Sequence, residues 1–286
     1  MPHMVILVPV DGSDAAKPAI EAAILVGKRF SSHVVGFHVR ANSKDAVPLL
    51  GEGMSGAMIE EIIELAEQEA NKRSNKARQM FNDLCTEKDV PMDDRAPGPD
   101  QASAAWVEET GREDEAVARR GRLSDLIVAA RPTAEAESPS SLTRNAAIFE
   151  TGRPVLVAPP KLPPAIGAKI AIFWNGSAQA ARAVAAAMPF VTDADSVTVI
   201  NAEGEGTASS VPADLATYLA WRGVTADTRT AVPGARGVGE VLLEACSNCD
   251  LLVMGAYTHS RVRRLILGGV TKHVMSNAAM PVLMGH

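Results

Sequence analysis

Along the chain, short unbroken apolar runs alternate with longer stretches in which apolar residues recur at helical spacing. In the C-terminal half the runs are Lys169–Trp174, Ser196–Asn201, Val224–Val232, Asp250–Gly255 and Pro281–Met284. Between them, helical spacing covers Ala178–Met188, Pro212–Arg222, Val238–Ser247 and Gly268–Asn277. A run such as Leu251-Leu252-Val253-Met254 offers no polar face to solvent, so it predicts a strand buried on both sides. Strands of that kind alternating with helices predict an α/β fold, a doubly wound parallel sheet covered on both faces.

The pattern occurs twice. Val5–Ala23 and Ile170–Ala187 share an apolar run, a Gly-Ser turn and an Ala-rich helical stretch, with Asp11-Gly12-Ser13 matching Asn175-Gly176-Ser177. Asp125–Ala130 (DLIVAA) then matches Asp250–Gly255 (DLLVMG), and Arg153–Pro160 matches Met280–His286. Three matched blocks in one order predict two tandem copies of one five-stranded, parallel-sheet domain, at residues 1–160 and 168–286. The proline-rich stretch Ala158–Lys169 between them reads as a linker, because proline cannot continue a helix or a central strand. The first copy carries an insertion, Met58–Lys88, apolar at Ile59, Ile62, Ile63, Leu65 and Ala66 and again at Met80, Phe81 and Leu84. This predicts a long amphipathic helix whose polar middle projects into solvent or a partner.

Composition narrows the class. With 47% apolar residues and 22% charged, the 286-residue chain reads as globular and able to bury a core. A net charge of -6 argues against a nucleic-acid backbone as partner. No apolar run approaches the ~20 residues of a membrane span. The N-terminus turns polar too soon for a signal segment, so a cytoplasmic address is expected. Three cysteines suit a reducing compartment.

Against that acidic background, Gly255–Met275 carries His259, Arg261, Arg263, Arg264, Lys272 and His273 and no acid. In an open parallel sheet, ligands sit beyond the carboxyl ends of the strands where strand order reverses. The loops after the first and fourth strands of each copy are therefore the candidates. Gly268, Gly269, Val270 and Thr271 open a helix whose amides favour an anion, and Arg261, Arg263 and Arg264 add positive potential. The blander readings are a solvated basic face, and helix N-caps at Asp11-Gly12-Ser13 and Asn175-Gly176-Ser177. Gly51–Gly56 fits a dinucleotide fingerprint in letters but lacks the preceding strand, and reads as a lid or partner-binding loop. Cys246 and Cys249 form a CxxC at the wrong end of a helix for redox work, and no second ligand pair for a metal is visible. No catalytic group can be assembled, and no Walker-type loop is present, so efficient ATP turnover is not expected.

With first strands ending in VDGS or WNGS, and a fourth strand followed by GAYTHSRVRRLILGGVT, the chain resembles a tandem universal stress protein. The resemblance implies a Rossmann-like fold of the adenine-nucleotide alpha hydrolase-like type, ATP or AMP as ligand, and a stress-response role without dedicated catalysis. Slow nucleotide hydrolysis is the weaker alternative. The family signature is Gly, two residues, Gly, nine residues, Gly, then Ser or Thr. Here Gly255 and Gly268 match its first and third glycines, Thr258 replaces the second, and Gly269 replaces the hydroxyl. Thr271 matches a later phosphate-contacting hydroxyl. The family's strand-one Asp is matched by Asp11 in the first copy and by Asn175 in the second. In the first copy Ala130 replaces the first Gly, and Glu135 and Glu137 would repel phosphate. The resemblance thus implies weak or altered nucleotide binding in the second copy and none in the first. It also implies pairing through the last strands, Pro154–Ala158 and Pro281–Met284, with a dimer of chains as a further step. The alternative function is a ligand-free interaction protein acting through pairing and the Met58–Lys88 helix.

Overall fold

The computed structural model describes residues 4–43, 55–95, 101–131, 139–203, 212–256 and 269–286, with side chains omitted at 139–141. The chain divides into two compact units, Met1–Thr151 and Gly152–His286.

In the first unit the order is β1 (Val5–Pro9), α1 (Lys17–Phe30), β2 (His33–Arg40), α2 (Gly56–Glu87), β3 (Ser103–Thr110), α3 (Glu113–Gly121), β4 (Leu126–Ala130) and α4 (Pro139–Glu150). All strand pairs are parallel, in the order β3-β2-β1-β4. The core forms where Ile6, Leu7 and Val8 meet Ile20, Ala23 and Ile24, at helical spacing on one face of α1.

In the second unit, β5 (Val155–Ala158) is followed by β6 (Lys169–Phe173), α5 (Ala178–Val191), β7 (Ser196–Ala202) and α6 (Pro212–Ala220). Then come β8 (Ala226–Ala231), α7 (Val238–Ala245), β9 (Leu251–Gly255), α8 (Gly269–Asn277) and β10 (Val282–Gly285). The sheet runs β5-β10-β9-β6-β7-β8, parallel except that β5 lies antiparallel to β10. Leu251–Met254 are buried, as the unbroken apolar run predicts. Residues 152–158, counted with the first copy in the sequence division, group with the second unit because Val155–Val157 pair with Val282–Met284.

The matched Asp of the two DL blocks has a shared task. Asp125 Oδ2 accepts from the Val5 amide at 2.9 Å, and Asp250 Oδ1 accepts from Gly167 and Lys169 amides at 2.8 and 3.0 Å. Asp125 staples the start of β1 to β4, and Asp250 staples the start of β6 to β9.

The polar middle of the long helix faces solvent as expected, with Gln68, Glu69, Asn71, Lys72, Asn75 and Lys76 exposed. The C-terminal half of the helix is the packed part, burying Ser74, Ala77, Phe81, Leu84 and Cys85, with Phe81 against β2 at Gly36. The N-terminal half, residues 56–72, has no buried residue and leaves Met58 and Leu65 more than half exposed. The last strands pair as the resemblance implies, Val155–Val157 of β5 lying antiparallel to Val282–Met284 of β10, which β9 flanks on its other side.

Candidate functional site

Strand order reverses between β1 and β4 in the first unit and between β6 and β9 in the second, so a ligand crevice is expected beyond each pair. The two crevices start from one turn. Asp11 Oδ1 accepts from the Ser13 amide at 2.9 Å and its hydroxyl at 2.7 Å. Asn175 Oδ1 accepts from the Ser177 amide at 3.1 Å and its hydroxyl at 2.7 Å. Gly12 and Gly176 sit at φ 81 and 70, which closes both turns.

The turns then differ. Ser177 Oγ accepts from Ala180 N–H at 3.1 Å and caps α5, whereas Ser13 makes no such bond. The capping reading of Ser177 therefore holds. Because both groups facing Asn175 in the turn are donors, its amide oxygen is held there and its NH2 is left to donate outward. Asp11 in the same pose would present a second carboxylate oxygen.

The first crevice is built over by the chain itself. A side-chain carbon added at Gly12 would lie 2.8 Å from the Arg73 carbonyl and 2.9 Å from its Cγ, so α2 lies directly on this turn. Lys76 of the same helix pairs with Asp14 at 2.9 Å. Glu113, the first residue of α3, joins Asp11 and Arg73 there, and its carboxyl is pushed up to about 7. Burial is the main cause and the Asp11 charge the second, while a hydrogen bond from Thr143 and the charge of Arg73 act the other way. Arg73 and the Asp11 and Glu113 carboxyls thus share the turn from which this crevice starts. Neither Arg73 nor Glu113 stands out in the sequence. The faint signal is the acid run Glu113-Asp114-Glu115 directly after a strand.

In the second crevice, Gly255 ends β9 where α5 crosses. A Cβ there would lie 2.5 Å from the Ala180 nitrogen and 2.8 Å from the Gln179 carbonyl carbon. This glycine of the signature therefore already has a packing role. Gly269 opens α8 exposed to solvent, Val270 is half-buried and Thr271 is buried. Within α8, Lys272 is exposed and the His273 ring rests on α7 at Gly239. Thr258, Arg261, Arg263, Arg264 and Gly268, with His259, lie outside the described residues, as does Gly51–Met54 of the fingerprint-like stretch and the first-copy acids Glu135 and Glu137.

The CxxC thiols are free: Cys246 is buried and Cys249 half-buried. Burial pushes the Cys246 thiol up to about 12 and raises Cys249 as well, the opposite of an activated thiolate. Among the described residues no group of three or more His, Cys, Asp or Glu could hold a metal, and no helix is long and apolar enough to cross a membrane.

Residues 169–286 match the Universal stress protein family model. No curated protein matches the sequence. Among solved structures, a universal stress protein from Archaeoglobus fulgidus DSM 4304 is similar at 14% identity and a TM-score of 0.68, over 98% of this chain and 97% of its own. A functionally unknown protein from Pseudomonas aeruginosa PAO1 is similar at 15% identity and a TM-score of 0.56, over 98% of this chain and 92% of its own. At these identities the likeness establishes the α/β fold. A universal stress protein solved in complex with cAMP, 14% identical, covers 56% of this chain and 100% of its own at a TM-score of 0.31, and lends no support to a shared site.

Proposed function

Since residues 169–286 match the Universal stress protein family model, we propose that the chain is a non-enzymatic stress-response protein that binds one adenine nucleotide, ATP or AMP, in its second unit. The observation that carries this is the contrast between the crevices. Arg73 of α2 lies on the first turn beside Asp11 and Glu113. The second keeps the Asn175 turn and an exposed helix start at Gly269.

The roles follow from the chemistry of the groups. The amides of Gly268, Gly269, Val270 and Thr271 meet phosphate oxygens at the start of α8. Thr271 contributes through its amide, since its side chain is buried. Arg261, Arg263 and Arg264 draw the anion in. The Asn175 NH2 donates to an acceptor on the base or ribose, where an Asp would accept from a ribose hydroxyl. That reversal predicts an altered preference among nucleosides. Gly255 ends the strand that leads into the loop.

Calorimetric titration of the full chain with ATP and with AMP is the test. One site per chain is expected, weakened at least about tenfold by Arg264→Glu. No heat with either nucleotide, or an unchanged affinity in Arg264→Glu, overturns the phosphate role. A second reading, an interaction protein, is favoured by one observation: the N-terminal half of α2 has no buried residue and exposes Met58 and Leu65. Loss of partner capture on deleting residues 56–72, with nucleotide binding absent, would select it.

A further inference from the structure

The two units manage their outer strands differently. In the first unit the outer side of β3 is partly covered, because Ala104 donates to the Pro91 carbonyl and accepts from the Asp93 amide, both at 2.8 Å. In the second unit β8 pairs with β7 alone among the described residues, and Asp227, Thr228, Arg229 and Thr230 are all exposed.

The direction of the free backbone groups can be read from the ladder. Ala231 pairs with Ala202, and its carbonyl accepts from Glu203 N–H at 2.9 Å. Ala231 therefore turns its amide and carbonyl towards β7. Successive residues of a strand alternate, so Asp227 and Arg229 do the same, and Ala226, Thr228 and Thr230 turn theirs outward. An unpaired row of this kind is a template for another strand.

The charges say which strand fits. In a two-fold antiparallel pairing centred on Thr228, Thr228 faces its own copy as a hydrogen-bonded pair, and Ala226 faces Thr230. Asp227 then stands opposite Arg229 of the second copy, twice, in the non-hydrogen-bonded positions where side chains come closest. Registers centred on Asp227 or Arg229 would set like charges opposite each other, so Asp-Thr-Arg is self-complementary about Thr228. Charges placed only to repel a neighbouring edge would not need opposite signs two residues apart. The flanks agree. Trp221, before β8, is 88% exposed, and Val232, after it, is 61% exposed. Antiparallel pairing brings the start of one β8 to the end of the other, so these apolar groups gather at the same ends of the ribbon.

We infer that the outer edge of β8 is a self-association surface, at which a second copy of this chain adds its own β8 antiparallel about Thr228. The contact is isologous and small, so the dimer is weak and concentration-dependent. It rests on the sheet edge and stands or falls apart from the nucleotide reading.

Sedimentation velocity of the full chain up to about 200 µM, a range in which a small interface associates, tests it. The expected result is a wild-type dimer whose dissociation constant rises at least about tenfold in Arg229→Asp, where two attractive pairs become repulsive. Asp227→Arg combined with Arg229→Asp restores the complementarity and is expected to restore the dimer. Thr228→Pro removes an outward N–H without touching the β7 ladder, so it is expected to give a monomer with an unchanged circular dichroism spectrum. A wild type that stays monomeric over the range overturns the inference. So does a dimer indifferent to Arg229→Asp and Thr228→Pro, or a charge swap that fails to rescue.

Discussion

Glu113 sits half-buried at the start of α3, near the carboxylate of Asp11 and the like charge of Asp114, with the Arg73 cation and the Thr143 hydroxyl as compensation. Its carboxyl rises from an ordinary 4.5 to about 7. A raised folded-state value means that the folded protein prefers the neutral acid. Below pH 4.5 folded and unfolded chains both hold the proton, and nothing is lost. Between 4.5 and about 7 the unfolded chain releases it first, so stability falls as pH rises and levels off above 7. The shift corresponds to a ceiling of about 3 kcal/mol, and partial solvent access brings the expectation to about 2 kcal/mol. Glu113→Gln removes the titration while keeping size and hydrogen-bonding capacity. The variant should match the wild type near pH 4.5 and exceed its stability by about 2 kcal/mol at pH 8. Urea denaturation across that range, read through Trp106 fluorescence in a Trp174→Phe, Trp221→Phe background, measures the first unit. A difference that is flat with pH, or a variant less stable at pH 8, would refute the reasoning.

Two further outcomes are expected. Ser177→Ala removes the cap on Ala180 and the hydroxyl that holds Asn175, and should cost about 1 kcal/mol; an unchanged urea midpoint of the second unit would contradict that. In the native protein a thiol reagent should reach half-buried Cys249 first, with Cys85, pushed up to about 11, and Cys246, pushed up to about 12, reacting only on unfolding. Peptide mapping after a timed pulse would reveal any early labelling of the buried pair.

Periodicity made most of the sheet legible. Leu251–Met254 lies buried in the sheet, and the repeated Asp-Gly-Ser and Asn-Gly-Ser turns close the same way. It left one question open at α2, because Ile59, Ile63, Ala66, Ala70, Ser74, Ala77, Phe81 and Leu84 form one continuous stripe along the helix. Spacing says that this face wants cover but not which half receives it. The answer lies at Gly36, far off in sequence, where the missing side chain makes room for the Phe81 ring. The first crevice was hidden for a like reason. Arg73 reaches the Asp11 turn across tens of residues, and nothing local to either stretch announces the meeting. Gly255 was legible as a signature glycine, yet its closest neighbours are the first-turn atoms of α5.

The antiparallel pairing of β5 with β10 has a consequence in time. Ala158 and Val282 are separated by roughly 120 residues, which a ribosome takes about 6–25 s to make. Through that interval β5 is already synthesised and its partner does not exist. When β10 arrives it hydrogen-bonds to β9 on one side and to β5 on the other, as an interior strand. The second unit therefore closes on a keystone strand, and a nascent chain paused before Val282 presents two open sheet borders to chaperones and to other nascent chains.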